Sequence, residues 1–345
     1  MKANNSDHKR KSNGKSKRLA LFFCLLNNVV FAQKDVVVFH NCENFFYPTN
    51  DTLTQDDDYT SEGKKHWTFE RYNKKKNALA KTYVAAGNGK LPSIIGLCEV
   101  ENDNVLNDLC KGTILRKGNY KFIHYDSEDI RGIDVALLYL PSRFTPLEHY
   151  KITYESDKED RTRDILYVNG LLGRNKVNIY VIHAPSRREH NIKKSLRQAI
   201  FDTVYQHICH LMQEKGETNF LIMGDMNDNP WDSAVKDGFR TIASGKNPQP
   251  MLVNIMQNNK NKIGSYVYNG SYQSFDQFIV SRSLLESTDS STTGNVFRAE
   301  FLTDGSPKHR LLMPYSTYKG MHYQGGISDH FPIVMVINDK PRSER

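Results

Sequence analysis

Short apolar runs rich in valine and isoleucine alternate along the chain with longer amphipathic segments. Val36–Phe39, Ile94–Cys98 and Phe220–Met223 are largely apolar at successive positions, which is typical of strands that are buried on both faces. Further strands are predicted at 120–125, 133–140, 163–168, 176–183, 275–280 and 332–337. Apolar side chains recur at helical spacing over 68–86 and over 191–214, so both segments are predicted to be helices.

Strands that are apolar on both faces need cover on both sides, and the predicted helices provide it. The pattern therefore indicates an α/β protein with layered sheets and helices. Polar stretches at 48–66, 243–263 and 303–325 are predicted to be loops rather than linkers, because strand patterns resume after each one. Residues 33–345 are long enough for one domain or two, and we expect a single domain.

Basic charge is concentrated at the N-terminus. The 345-residue chain carries 47 Lys and Arg against 39 Asp and Glu, a net charge of +8. Residues 1–32 hold seven of the basic residues and one acid, which leaves 40 against 38 in the rest. A basic stretch ending at Arg18 precedes the apolar run Leu19–Leu26 and a segment ending at Ala32, which is the pattern of a secretory signal peptide. We predict cleavage near Ala32 and export to the periplasm or the medium; a disordered basic tail is the alternative.

The rest of the chain has neither a predicted membrane span nor the cysteine pattern of a disulfide scaffold. No later run reaches the ~20 apolar residues of a bilayer span, so we expect no stable membrane insertion. Four cysteines remain after cleavage, without a C-x-x-C pair that would suggest a zinc cluster: Cys42, Cys98, Cys110 and Cys209. Buried free thiols are expected, and a disulfide in the exported protein is the alternative.

Acidic, amide and imidazole side chains recur at the ends of the predicted strands. They are Asn41, Glu43, Glu99, His183, Asp225, Asn227, Asp276, Asp329 and His330. Because the carboxyl ends of strands in an open α/β sheet share an edge where ligands bind, the repetition indicates one site. The hard oxygen donors in this set suit Mg²⁺ or Mn²⁺, with Ca²⁺ as an alternative. The histidines can move protons, and Arg131, Arg187 and Arg188 can donate to phosphate.

The ordered set of motifs resembles the endonuclease/exonuclease/phosphatase superfamily, which includes deoxyribonucleases, abasic-site endonucleases, sphingomyelinases and inositol polyphosphate phosphatases. The motifs are Glu99-Val100-Glu101-Asn102, Arg131-Gly132-Ile133-Asp134, His183-Ala184-Pro185-Ser186, Gly224-Asp225-Met226-Asn227, Asp276-Gln277 and Ser328-Asp329-His330. They run in family order from about 35 to 338, and the nearest similarity is to an exported branch common in Bacteroidetes-type bacteria. The resemblance implies a four-layer α/β sandwich, in which two packed mixed β-sheets are flanked by helices, and a divalent metal.

Residue roles follow from the same resemblance, position by position. It implies Glu99 and Asp329 as metal ligands, with Asn41 and Glu43 at the first-strand metal site. Asp225 and Asn227 match the pair that positions the attacking water and the phosphate. His330, oriented by Asp276, and His183 match the two active-site histidines, and Asp134 is the expected orienting residue for His183. Arg131, Ser186, Arg187 and Arg188 are expected to contact the substrate phosphate. The general base differs between family mechanisms and stays unassigned.

Each motif also has a plainer interpretation. His183 can be a hydrogen-bonded core histidine, Arg187 and Arg188 can belong to a solvated loop, and Gly224-Asp225-Met226-Asn227 can be a turn. Asp56–Asp58 is more typical of a solvated acidic loop than of a calcium site, because it lacks the alternation and glycine of an EF-hand. Asp276 lies within an apolar strand, where an unpaired carboxylate would be costly, and His330 is its expected partner.

Taken together, the residues and the resemblance predict an exported phosphoesterase that cleaves phosphodiesters with metal-activated water. Nucleic acid is the first expected substrate, and a sphingomyelin-type lipid or a small phosphate ester such as an inositol phosphate is the alternative. A non-catalytic binding protein with the same fold is the rival from another class, disfavoured because every motif is intact. We expect a monomer.

Overall fold

A computed structural model describes Met1 and residues 34–154, 162–187, 192–241, 251–257, 263–288, 292–305 and 311–338. The predicted signal segment, residues 2–32, lies outside the described residues, so its cleavage stays a prediction. From Lys34 onward the described residues form one compact unit. Within these ranges, no helix combines the length and apolarity needed to cross a membrane.

Sixteen strands and five α-helices are present in the described ranges. The strands are β1 (Lys34–Phe45), β2 (Ile94–Val100), β3 (Lys121–His124), β4 (Asp134–Tyr139), β5 (Phe144–Ile152), β6 (Ile165–Leu172), β7 (Asn175–His183), β8 (Phe220–Asp225), β9 (Leu252–Asn254), β10 (Tyr266–Tyr268), β11 (Ser271–Gln273), β12 (Asp276–Ser281), β13 (Gly294–Val296), β14 (Tyr318–Lys319), β15 (His322–Tyr323) and β16 (Ile333–Asn338). The helices are α1 (Phe69–Ala86), α2 (Asp103–Lys111), α3 (Ile192–Lys215), α4 (Ser233–Gly238) and α5 (Arg282–Ser287).

Twelve of the strands form two six-stranded mixed sheets. The first sheet has the order β13-β16-β1-β2-β4-β3, and the second has the order β5-β6-β7-β8-β12-β9. Each sheet contains a single parallel pair near its centre, β1 with β2 and β7 with β8, and its other pairs are antiparallel. The remaining four strands form two small hairpins, β10–β11 and β14–β15.

The two sheets pack face to face, and helices cover their outer faces. Val37 and Phe39 of β1 share one buried cluster with Leu221 and Met223 of β8, which is the core between the sheets. A Cβ at Gly96 would lie 2.4 Å from the sulfur of Met223, so glycine permits this close approach. Two further clusters join α1 and α2 to the first sheet and α3 and α4 to the second. The predicted four-layer sandwich is therefore confirmed.

The two long helices lie where the apolar spacing predicted them. The hydroxyl of Thr68 caps α1 by accepting a hydrogen bond from the N–H of Arg71, and Gly87 ends the helix, the usual start and stop signals. The prediction missed α2, although Asn102 caps it by accepting from two backbone N–H groups. It also missed the β14–β15 hairpin inside the stretch 303–325, because two-residue strands are too short to show a period.

The four described cysteines are free thiols, as expected. Cys42, Cys98 and Cys110 are buried and Cys209 is half-buried. Burial raises the pKa of Cys42 to about 12, so this thiol is protonated and unreactive at neutral pH.

Candidate active site

The polar strand ends meet at one edge of the sandwich. Parallel strands β1, β2, β7 and β8 end at this edge, and the antiparallel strands β12 and β16 begin there. The register aligns His183 of β7 with Asp225 of β8, and Asp225 with Asp276 of β12. Eight of the nine predicted strand-end residues, all except Asp276, line one pocket of about 560 Å³: Asn41, Glu43, Glu99, His183, Asp225, Asn227, Asp329 and His330.

Asn41 joins the two sheets at the floor of this pocket. Its side-chain N–H group donates to Glu99 Oε1 (3.3 Å) on the first sheet and to Asp225 Oδ2 (3.1 Å) on the second. Its side-chain oxygen accepts from the backbone N–H of Glu43 at 2.9 Å. An amide can serve both carboxylates because it has two N–H donors and one acceptor. Asn41 therefore fixes the position of two acids, and its side-chain oxygen keeps one lone pair, so its predicted role as a metal ligand stays a prediction.

Left-handed backbone conformations re-aim side chains around the pocket. Glu43, Asn44, Glu99 and Asn227 have φ values of 49°, 53°, 58° and 48°, a region that costs non-glycine residues of order 1–3 kcal/mol each. Side chains of the site stabilise them: Asn44 N–H donates to Glu99 Oε2 (2.8 Å), and Asn227 N–H donates to Asp225 Oδ1 (2.9 Å). At Glu99 the register of β2 shifts against β4. The strain is thus concentrated where the acids must face one another.

The two histidines of the pocket have opposite environments. His330 Nδ1 donates to Asp276 Oδ2 at 2.7 Å, the partnership predicted from the sequence. Burial alone would lower the pKa of His330, but the carboxylates of Asp276, Asp225 and Asp329 outweigh it and hold that pKa well above its usual value. Burial, with Arg163 and Arg131 nearby, holds the pKa of His183 well below its usual value. His330 is therefore the cationic imidazole and His183 the neutral one.

Asp225 lies between these histidines. Its Oδ2 is 3.7 Å from His183 Nε2 and 3.8 Å from His330 Nε2. The pKa of Asp225 is raised to about 6. Burial is the main cause, His330 opposes it, and repulsion from Asp276 adds to it. A buried carboxylate with this pKa is suited to proton transfer near neutral pH.

The expected role of Asp134 as the orienting partner of His183 is wrong. Asp134 accepts from the backbone N–H of Ser127 (3.1 Å) and lies 3.5 Å from His124 Nε2. His183 Nδ1 is buried and has no hydrogen-bond partner among the described residues. Asp134 begins β4, which pairs with β3, and His124 ends β3. The sequence motif does not reveal this neighbour.

The predicted phosphate-contacting arginines lie at the pocket wall but already have partners. Arg187 lines the pocket, ion-pairs with Asp228 and Asp232, and donates to the carbonyl oxygen of Asn227 (2.8 Å). Arg131 also lines it, 3.4 Å from a carboxylate oxygen of Asp129. Ser186 lines the same pocket, and Arg188 lies outside the described residues.

Two buried cations of the site were missed. Arg163 lines the pocket, and its guanidinium donates to Asp129 and to the carbonyl oxygen of Ala184. Lys75 lies 2% exposed beneath the acids and donates to the carbonyl oxygen of Glu43 and to Thr317 Oγ1. A lysine in a helix pattern is normally a surface residue, so only the apolar neighbours of Lys75 on α1 could have indicated its burial.

Backbone N–H groups fix the position of the Glu43 carboxylate. The carboxylate accepts from the backbone N–H groups of Thr317 (2.6 Å) and Tyr318 (2.9 Å). Burial and the charge of Asp329 nevertheless raise the pKa of Glu43 to about 7. Burial and the charge of Glu99 also raise the pKa of Asp329. These shifts mean that positive charge within the chain does not fully compensate the acids of the pocket.

The donor set fits an oxygen-preferring divalent ion. Glu99, Asp329 and Glu43 offer carboxylate oxygens to the pocket, and the buried thiols Cys42 and Cys98 lie in the apolar clusters. Asp225, Asp276 and His330 also place ligand-type atoms within 4.8 Å of one another. Since Asp276 and His330 are hydrogen-bonded to each other, we interpret this second group as a proton-holding pair rather than as a ligand set.

The chain belongs to the endonuclease/exonuclease/phosphatase family, whose sequence profile matches residues 36–339. It has no significant match among curated protein sequences. Among solved structures, it is similar to an endonuclease/exonuclease/phosphatase family protein of Bacteroides thetaiotaomicron, with 15% identity over 90% of this chain and 96% of that chain and a TM-score of 0.57.

Two further structures are similar at the level of the fold. TDP2 of D. rerio, complexed with a single strand DNA product, is 16% identical over 88% of this chain and 99% of that chain, with a TM-score of 0.53. A mannosyl-6-phosphatase of Bacteroides thetaiotaomicron is 15% identical over 87% of this chain and 98% of that chain, with a TM-score of 0.54. Members of this family are metal-dependent phosphoesterases, and their substrates differ.

Substituting Lys75 tests the charge balance of the pocket. Removing one member of a buried charged group leaves the others uncompensated, which typically costs about 3–5 kcal/mol. We therefore expect Lys75→Met to lower the free energy of unfolding by about that amount when chelator is present, as measured by urea denaturation. Added Mg²⁺ should restore part of the lost stability.

The matched control is Lys74→Met, because Lys74 is exposed on the same helix. We expect that substitution to change the free energy of unfolding by less than about 0.5 kcal/mol. Equal stability of the Lys75 and Lys74 variants would contradict the compensating role of Lys75.

Proposed function

We propose that this protein is a secreted, divalent-metal-dependent phosphodiesterase that cleaves nucleic acid. Family membership supports phosphoester hydrolysis as the reaction class. The observation that carries the proposal is the convergence of Glu99, Asp225, His183 and the Asp276–His330 pair in one pocket.

Glu99 and Asp329 are the proposed metal ligands, with Glu43 beside them and Asn41 holding Glu99 in place. A bound Mg²⁺ or Mn²⁺ would neutralise phosphoryl oxygens and stabilise the leaving oxyanion. Burial, together with repulsion from neighbouring carboxylates, raises the pKa of Asp329 and of Glu43, and a divalent cation at this position would relieve both effects. Ca²⁺ is the alternative ion, since it also takes oxygen ligands.

Side chains of the pocket are proposed to accept the proton from water and to contact the phosphate. Asp225, with a pKa of about 6, is the proposed acceptor of the proton from the attacking water. Cationic His330 donates a hydrogen bond to a phosphoryl oxygen, and Asp276 keeps its ring oriented. His183 and Asn227 contact the phosphate from the other side of Asp225, and the side chain of Asn227 is anchored to the carbonyl oxygen of Ala184 at 2.9 Å.

Aromatic rings along the pocket wall support a nucleic-acid substrate. Tyr266 stacks on His330 with ring centroids 4.6 Å apart, and Phe275 stacks on Tyr266 at 5.6 Å. Tyr59 and Tyr318 line the opposite part of the wall together with Lys65. Ring faces beside cations are the means by which proteins hold unpaired bases and their phosphates. D. rerio TDP2, whose fold is similar, is complexed with a single strand DNA product.

A small phosphate ester is the second candidate substrate. The pocket volume of about 560 Å³ is typical of small-molecule sites, and Arg187 and Arg131 in its lining are already paired with carboxylates. A mannosyl-6-phosphatase is among the proteins of similar fold. A sphingomyelin-type lipid is a third option, since Tyr268 and Met321 are exposed on the two hairpins beside the pocket.

A substrate panel tests the proposal directly. Single-stranded DNA, duplex DNA, RNA, sphingomyelin, inositol phosphates, sugar phosphates and a bis-aryl phosphate are incubated with the protein, with Mg²⁺ and with chelator. We expect metal-dependent cleavage that is fastest on single-stranded nucleic acid. Glu99→Gln and Asp225→Asn should each lower kcat by about 10²–10⁴-fold.

Asp237→Asn serves as the control, because Asp237 is exposed on α4, and its kcat should equal that of the native protein. Faster hydrolysis of a sugar phosphate or of sphingomyelin would identify that compound, rather than nucleic acid, as the substrate class. Absence of hydrolysis on the whole panel, with all variants folded, would favour a non-catalytic binding protein.

Export is a separate part of the proposal and rests on residues 1–32 alone. Expression in a bacterial host, followed by fractionation and N-terminal sequencing, should yield a periplasmic or secreted protein that starts at Gln33. An intact N-terminus in the cytoplasmic fraction would contradict it. Signal cleavage would remove most of the basic excess, so phosphate attraction would come from the pocket itself.

A further inference from the structure

A second pocket of about 600 Å³ lies apart from the catalytic pocket. It is bordered by the segment after β1, the start of α2 and the connection between β3 and β4. Seven of its fourteen lining residues are aspartate or glutamate, and none is lysine or arginine. Such a concentration of like charge is unfavourable unless protons or cations compensate it.

His124 at the end of β3 lies beside this pocket with a side chain that is 3% exposed. Its Nδ1 is 3.0 Å from Asp103 Oδ1. A carboxylate can only accept a hydrogen bond, so Nδ1 carries the proton. In the neutral imidazole, the lone pair is then on Nε2, which is the arrangement of a metal-binding histidine oriented by a carboxylate.

The atom Nε2 of His124 is buried and has no hydrogen-bond partner among the described residues. It is 3.5 Å from Asp134 Oδ2. An imidazole nitrogen and a carboxylate oxygen that bind one ion at about 2.0–2.2 Å are separated by roughly 3–3.5 Å. Asp126 supplies a third ligand-type atom, and all three lie within 4.8 Å of one another. The spacing fits a cation shared by the two groups. Without that cation, Asp134 and Asp103 outweigh burial and raise the pKa of His124, so a proton takes the place of the ion.

A second buried atom in the same pocket also lacks a partner. Glu101 is 4% exposed, and its Oε1 accepts no hydrogen bond from any described residue, while Oε2 accepts from the backbone N–H of Tyr47. Leaving a buried carboxylate oxygen unsatisfied is costly. Burial raises the pKa of Glu101 to about 8, so without a bound cation this acid retains a proton near neutral pH.

We propose that His124, Asp126 and Asp134 bind a divalent first-row transition-metal ion such as Zn²⁺ or Mn²⁺, with Asp103 orienting the imidazole. A mixed imidazole and carboxylate set favours these ions over Mg²⁺ and Ca²⁺, which prefer oxygen ligands alone. The site is distinct from the catalytic pocket. It holds the two ends of the β3–β4 connection, which carries Arg131 to the catalytic pocket.

Titration of the full chain with Zn²⁺, measured by isothermal titration calorimetry, tests this site. Because Zn²⁺ also binds oxygen ligands, the titration is made in the Glu99→Gln background, which weakens the catalytic pocket. We expect one Zn²⁺ per chain there. His124→Gln should abolish the binding, and Asp103→Asn should weaken it by about 10–100-fold, the usual effect of removing a group that orients a ligand.

If His124→Gln does not fold, Asp126→Asn serves as the second variant. Asp126 is exposed, so its substitution leaves the core unchanged. We expect it to lower the affinity for Zn²⁺ at least tenfold. Asp237→Asn, an exposed acid on α4, is the matched control and should bind like its parent. Zinc binding that is the same in folded His124 and Asp126 variants would overturn the proposal. So would the absence of Zn²⁺ binding in the parent, which would leave a proton shared between His124 and Asp134.

Discussion

Several carboxylates are buried together at the shared edge of the two sheets, and the rest of the site depends on how their charge is compensated. Glu43, Asp225 and Asp329 are buried there, and the pKa of each is raised. The sandwich core holds the strands that carry them, so the acids cannot separate to relieve the repulsion. Lys75 and His330 compensate part of the charge. The residual negative charge favours a divalent cation in this pocket.

The same scaffold gives chemically similar groups different states. His330 is held cationic by Asp276, whereas His183 is held neutral by burial and by nearby arginines. Asp225, between them, has a pKa of about 6. Hydrolysis of a phosphate ester needs a proton acceptor, a cationic donor and a neutral imidazole in one pocket. The protonation state of each group follows from its position in the pocket rather than from its residue type.

Sequence reasoning succeeded where one local signal was strong. The apolar runs of β1 and β8 predicted the buried strands, and the polar residues after them predicted the site, because strand ends share an edge. It failed where tertiary packing decides. Lys75 lies on a helix whose pattern is compatible with an exposed lysine, and Asp134 faces His124 because of strand pairing. Short hairpins such as β14–β15 carry no period long enough to predict.

Thermal unfolding with and without Mg²⁺ tests the central claim most directly, namely that the acids of the catalytic pocket require a divalent ion. Ligands that bind only the folded state stabilise it, so Mg²⁺ should raise the Tm of the native chain and chelator should reverse the shift. Glu99→Gln removes a charged ligand, so it should reduce the Mg²⁺ shift. An equal Mg²⁺ shift in both proteins, or no shift in either, would contradict the account.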